Sequence, residues 1–274
     1  MTDQGEVLEL LISSERLLGI YFFDQSEYLK REPETPRPML EQDARYFWIF
    51  HNLDYKKWVR GGDEAKILGL HGPSTEDLEL AASHVVQSLQ DPADPEGEVL
   101  YFFYNSTRRE LVSQDGAGLR DLVCVWNLLR QLIEGRPTAA KPLLQTFLRT
   151  ALDFLGDELK ELRVHGDPIK AFKSLFYHSK PKDLWVAFGQ ALEDLGGLGN
   201  PRKQGLTLII DLGSMASGWE GLVDNIRRMT SSRQFVRVLL SNLPGGSNLG
   251  QNRPSEILLE YGKERKGMYN PWLP

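Results

Sequence analysis

Apolar residues fall along this chain in two kinds of run. Some runs are short, apolar throughout and rich in β-branched or aromatic residues. These are AKILGL (65–70), VLYFFY (Val99–Tyr104), LTLIID (Leu206–Asp211), FVRVLLS (Phe235–Ser241) and EILLEY (Glu256–Tyr261), and each reads as a strand. Between them apolar positions recur at helical spacing. The pattern predicts helices over LELAASHVVQSLQ, Leu119–Glu134, Pro142–Leu162, Asp183–Leu195 (ended by Gly196-Gly197) and Trp219–Met229. Ahead of the first strand, LELLISSERLLGIYFF and ARYFWIFHNLDYKKWV also carry helical spacing, joined by the proline-rich connector KREPETPRPMLEQD. Residues 163–182 follow neither period.

Strands that are apolar on both sides and alternate with helices imply a parallel sheet covered on both faces, an α/β fold. Ligands of such sheets bind at the carboxyl ends of the strands. Those ends are Gly72, Asp211 and Ser241–Pro244, so chemistry is sought there.

Composition narrows the classes. The 274 residues are 41% hydrophobic, enough for a sizeable core, and 26% charged. The net charge of −6 and the absence of a basic stripe with interleaved aromatics argue against a nucleic-acid surface. The single cysteine, Cys124, rules out an internal disulfide and a cysteine-based zinc site, and its apolar setting (LVCVWNLL) suits burial. MTDQGEV is unlike a signal peptide, and no apolar run approaches the ~18 residues of a membrane span. The expected location is cytoplasmic, with the nucleus left open.

The first strand end has the frame of a phosphate-binding loop. An apolar strand runs into Gly72, with a helix expected about six residues later, the geometry of G-x-x-x-x-G-K-[ST]. In that frame Asp77 stands at the second glycine, Leu78 at the lysine and Glu79 at the hydroxyl. Leu78 can neither reach a phosphate nor carry charge, and Glu76, Asp77 and Glu79 oppose an anion. The same residues suit an ordinary helix start. Ser74 or Thr75 is a natural N-cap, Ser74-x-x-Asp77 approximates a capping box, and acids in the first turn complement the helix dipole.

The other two strand ends are equally reduced. Asp211 ends LTLIID and could hold Mg²⁺ through water, but Leu212 to Ser217 supply no acid to orient an attacking water. After FVRVLLS, Asn242 could face a γ-phosphate, whereas Leu243 could not. The five histidines include no i, i+4 pair for a metal, and GSMAS does not match the G-x-S-x-G nucleophile elbow.

Together these segments resemble the NACHT class of STAND P-loop NTPases, in particular the nephrocystin-type N-terminal domain common in fungal multidomain proteins. The likeness rests on ERLLGIYFFDQSEYLKREPE, FWIFHNLDYKKWV, KILGLHGPSTEDLELAASHVV, VLYFFYNSTRRE, GLRDLVCVWNLLRQLIEGRP, LTLIIDLGSMASGWEGLVDNIRRM and VRVLLSNLP, and covers roughly residues 15–265. It implies a three-layer P-loop NTPase-like parallel sheet with helices on both faces, plus an N-terminal helical leader. The implied division is a leader at 1–60, a degenerate NACHT-like domain at 61–265 and a tail at 266–274. Family members carry Gly, Lys and Ser/Thr where this chain has Asp77, Leu78 and Glu79. They carry an acidic pair where Ser214 and Met215 stand, and Ser-Arg-Pro where Asn242-Leu243-Pro244 stands. They also continue into a winged-helix region and repeats, whereas only GKERKGMYNPWLP follows the last strand here.

The resemblance therefore implies a pseudo-NTPase with no catalytic residue and no cofactor. Its degenerate nucleotide positions are Gly72, Ser74, Thr75, Asp77, Leu78, Glu79, Asp211 and Asn242, and Asp211 is where any metal would sit. The expected role is a protein-interaction or scaffold module, with an intact NACHT-type relative as one conceivable partner and no nucleic acid or membrane. Two alternatives remain. One is an unorthodox nucleotide-binding protein or slow NTPase using ATP or GTP with Mg²⁺ through Asp211, Ser74, Thr75 and Asn242. The other is a small-molecule binding module that takes an apolar or cationic ligand beside Leu78, Glu76 and Glu79.

Overall fold

In the computed structural model, residues 48–60, 66–90, 98–104, 117–136, 139–154, 178, 180–198, 205–213, 219–231, 233, 235–243 and 256–260 are described. The elements are α1 (Trp48–His51), α2 (Leu53–Val59), β1 (Ile67–His71), α3 (Thr75–Leu89), β2 (Glu98–Phe103) and α4 (Ala117–Gly135), followed by α5 (Ala140–Asp153), α6 (Pro181–Leu198), β3 (Leu206–Asp211), α7 (Trp219–Ser231), β4 (Val236–Ser241) and β5 (Glu256–Glu260). The chain divides into two compact units. One comprises Tyr28–Ser106, Leu206–Ala216 and Val236–Pro274; the other comprises Met1–Glu27, Thr107–Gly205 and Ser217–Phe235.

The first unit holds a five-stranded sheet in the order β2-β3-β4-β1-β5, with every pairing parallel. The class is α/β, consistent with the three-layer, P-loop-like arrangement expected. β3 and β4 are buried at every position, as central strands of a parallel sheet are. On α3, Leu78, Ala81, Ala82, Val85, Val86 and Leu89 form one apolar stripe and join Leu68, Ile209 and Leu239 of the sheet in a single core cluster. α2 adds Tyr55 and Trp58 to that cluster.

The second unit is a helical assembly in which α6 packs against α5, α4 and α7. α4 is buried on nearly every side, so its polar residues need partners inside. The Asp121 carboxylate accepts from Trp185 Nε1 at 2.5 Å and from Asn225 Nδ2 at 3.3 Å, which ties three helices together. Buried Arg233 donates to the carbonyls of Gly189 and Met229, both at 3.0 Å, and pairs with Glu193 at 2.9 Å. A Cβ at Gly189 would meet the guanidinium carbon at 2.5 Å, so a larger residue there would have to displace the Arg233 side chain from these bonds. Cys124 is buried, and burial pushes its thiol well above the ordinary value.

Four local expectations are corrected. The helix expected across ARYFWIFHNLDYKKWV is two helices. Asn52 takes an extended conformation between them, and its Oδ1 accepts from the Asp54 and Tyr55 amides at 2.7 and 3.2 Å. A good capping side chain outcompetes helix continuation at that point. The helix expected over Pro142–Leu162 starts at Ala140 and stops at Asp153, where the Phe154 amide closes back onto the Ala151 and Leu152 carbonyls; residues 155–162 lie outside the described set. α6 runs through Gly196-Gly197 to Leu198. Glycine weakens a helix interior by only about 1 kcal/mol, less than a packed apolar face contributes. Finally, α3 begins at Thr75, not six residues beyond Gly72. The expected leader helix over LELLISSERLLGIYFF lies outside the described residues.

Candidate functional site

The strand order fixes where a ligand crevice would open. From β1 the chain proceeds to β2 at one edge, and from β4 it proceeds to β5 beyond the opposite side of β1. β1 and β4 are neighbours whose onward connections run in opposite directions. Their carboxyl ends therefore flank the topological switch point. Register places Phe103, Asp211 and Ser241 side by side at the ends of β2, β3 and β4.

At β1 the chain turns into α3 through only Gly72, Pro73 and Ser74. Ser74 is the N-cap, and its Oγ accepts the Asp77 amide at 3.1 Å. That amide, which a phosphate-binding loop would aim at its ligand, is used internally. Thr75 and Glu76 are exposed, while Asp77 and Glu79 are half-buried. Leu78 is 1% exposed and opens the core stripe of α3, so it lines no phosphate pocket. Beginning the helix at Thr75 turns the lysine position of the motif towards the sheet.

The end of β3 is held from three directions. Asp211 is buried, and its Oδ1 accepts from the Ser241 hydroxyl and from Asn242 Nδ2, the latter at 2.6 Å. Its Oδ2 accepts from the Gly213 amide at 3.0 Å. Burial pushes the carboxyl up to about 7 and the negative charge of Glu79 adds to the rise, while the Ser241, Asn242 and Gly213 hydrogen bonds oppose it. At neutral pH this carboxyl is divided between its neutral and charged forms.

Asn242 joins the strand ends. Its φ is 59°, the left-handed region that asparagine tolerates better than most residues. The amide that holds Asp211 also donates to the Thr75 carbonyl at 3.2 Å. One residue on, the Leu243 amide donates to the Leu70 carbonyl at 3.1 Å, and the Leu243 carbonyl lies 2.6 Å from His71 Nδ1. The carboxyl ends of β1, β3 and β4 are thus laced together by the chain's own groups.

Of the candidate residues, the structure brings Thr75, Asp211 and Asn242 into direct hydrogen-bonded contact, with Glu79 acting on Asp211 electrostatically. Ser74 and Asp77 form the helix cap beside them, Gly72 lies in the turn, and Leu78 is in the core. Sequence reasoning missed Ser241 and Gly213 as partners of Asp211. One signal was present in the sequence, for Gly213. Asp-x-Gly is the spacing of a carboxylate capping its own turn, whereas Ser241 meets Asp211 only because β4 pairs with β3. Ser214 and Met215 lie outside the described residues. Among the described residues no group of three or more His, Cys, Asp or Glu could hold a metal, and no helix is long and apolar enough to cross a membrane.

These features define an α/β protein with an all-parallel sheet whose strand ends at the switch point are hydrogen-bonded to one another. No protein-family model matches the chain, and no curated protein or solved structure matches it.

Proposed function

We propose that this chain is a non-hydrolysing, P-loop-NTPase-like domain that serves as a protein-interaction or scaffold module. The observation that carries this reading is the mutual hydrogen bonding of the strand ends. Asn242 bridges Asp211 and Thr75, Asp211 has given its oxygens to three protein donors, and a three-residue turn stands where the motif has its phosphate loop. Micromolar capture of a nucleotide needs about 8 kcal/mol. A cation or phosphate seated here would first have to replace hydrogen bonds to a charged group, each worth about 1.5–3 kcal/mol. No lysine stands at the motif's position to compensate, and Glu79 repels the incoming anion.

The likeness to NACHT domains supports the same reading through the order of strands and helices, and an intact relative of that class is a partner worth testing. Calorimetry and thermal-shift titration with ATP, GTP and their diphosphates, with Mg²⁺ at millimolar concentration, test the proposal. The expected result is no saturable heat and no shift in Tm. A saturable Mg²⁺-dependent shift that Asp211→Ala abolishes would overturn it.

A further inference from the structure

The outward face of α2 carries a cluster of exposed cations. Leu53, Lys56, Lys57 and Arg60 fall at i, i+3, i+4 and i+7, so they share one face. All four are exposed, and Leu53 is 72% exposed, the most of any large hydrophobic side chain among the described residues. The opposite face is fixed. Tyr55 and Trp58 are buried in the sheet-side core, and Trp58 Nε1 donates to the Lys66 carbonyl at 3.3 Å. Arg237 of β4 donates to the Trp58 carbonyl at 3.2 Å, lies 5.6 Å from the centre of its ring, and reaches Thr207 Oγ1 at 3.2 Å. With the Asn52 cap, these bonds hold the helix rigidly on the sheet. A surface ordered in advance loses little freedom when it binds.

From this geometry we infer that the stripe is a docking surface for an acidic, leucine-bearing stretch of a partner protein. The inference rests on the interaction-module reading and supplies the partner's chemistry. Three cations stand on two helical turns, and among the described residues the acid paired with one of them, Asp54 with Lys57 at 3.3 Å, is half-exposed. Complementarity therefore selects carboxylates, and Leu53 in the same stripe selects an apolar side chain between them. A nucleic acid fits less well. The stripe is only about 10 Å long at 1.5 Å per residue and carries no aromatic platform for a base.

The test is fluorescence anisotropy on the full chain with a labelled synthetic peptide in which glutamate alternates with leucine. The expected result is saturable binding that weakens as salt rises, because exposed ion pairs are screened. Replacing Lys56→Glu, Lys57→Glu and Arg60→Glu together should weaken it about tenfold or more, and Leu53→Asp should also weaken it. All four side chains are exposed, so far-UV circular dichroism should be unchanged. Equal binding by wild type and the charge-reversed variant would overturn the inference. So would equal or tighter binding of a serine-for-leucine peptide, a single-stranded oligonucleotide or an anionic vesicle. The nucleotide titration reads a different site. Tight Mg²⁺-ATP binding with intact peptide binding would remove only the pseudo-NTPase reading, and the converse only the docking surface.

Discussion

Asn242 donates its side-chain amide to the Asp211 carboxylate at 2.6 Å while holding a backbone φ of 59°. The two facts combine in a single expectation. Asn242→Ala removes the bonds to Asp211 and Thr75 and leaves a Cβ in the left-handed region, so a loss of about 2–4 kcal/mol is expected. Asn242→Gly removes the same bonds without the Cβ penalty and should be milder by about 1 kcal/mol. Urea denaturation with an unchanged m-value measures both. Equal losses would mean that the left-handed turn is not what holds the residue.

Asp211 makes stability depend on pH in an unusual direction. Its folded value is about 7 against an ordinary value of 3.8, so the native state binds more protons than the unfolded state between those limits. Unfolding free energy therefore falls as pH rises from about 4 to about 7 and is level above that. At about 1.36 kcal/mol per unit, the total reaches about 4 kcal/mol. Asp211→Asn cannot ionise, so wild type should lose stability relative to this variant across that window. Glu79→Gln removes a charge that raises the carboxyl, and should move the fall to lower pH. Parallel wild-type and Asp211→Asn curves of stability against pH would show that the carboxyl does not titrate there.

Much of this fold was legible because its strands are punctuated by composition. LTLIID and VRVLLS are apolar throughout and end in polar residues, and both appear as read, VRVLLS one residue shorter than FVRVLLS. α2 was less legible. A continuous apolar period ran across Asn52, and only the side-chain oxygen, bonding two amides, breaks it. The site was half legible. Asp211 and Asn242 were named because strand ends are where chemistry sits. Their meeting depends on β3 and β4 being neighbours, which the order of strands along the chain does not fix. The motif frame also misled. Counting from Gly72 placed a loop where Ser74, a stronger local signal, starts a helix.

That cap gives a direct test of turn against loop. Ser74→Ala removes the acceptor of the Asp77 amide and should cost about 0.5–2 kcal/mol. Ser74→Asp supplies another acceptor and should cost much less. A wide phosphate-binding loop would respond otherwise, since its amides await a ligand and not the Ser74 hydroxyl. Thermal denaturation of the two variants separates the cases, and a neutral Ser74→Ala would contradict the cap.

Leu78 decides most sharply whether the old lysine position still faces a pocket. The side chain is 1% exposed and packs in one cluster with Leu68, Leu70 and Val85. Leu78→Ala should cost about 2–5 kcal/mol, as a core truncation that leaves a cavity does. Leu78→Lys restores the motif's cation in name, but it asks the core to bury an ammonium, which is destabilising unless the stem reaches water. The expected result is a lower Tm with no gain in Mg²⁺-ATP affinity by calorimetry. If Leu78→Lys left Tm unchanged and acquired saturable nucleotide binding, position 78 would open to a phosphate site after all. The helix start at Thr75 would then have to unwind to admit it.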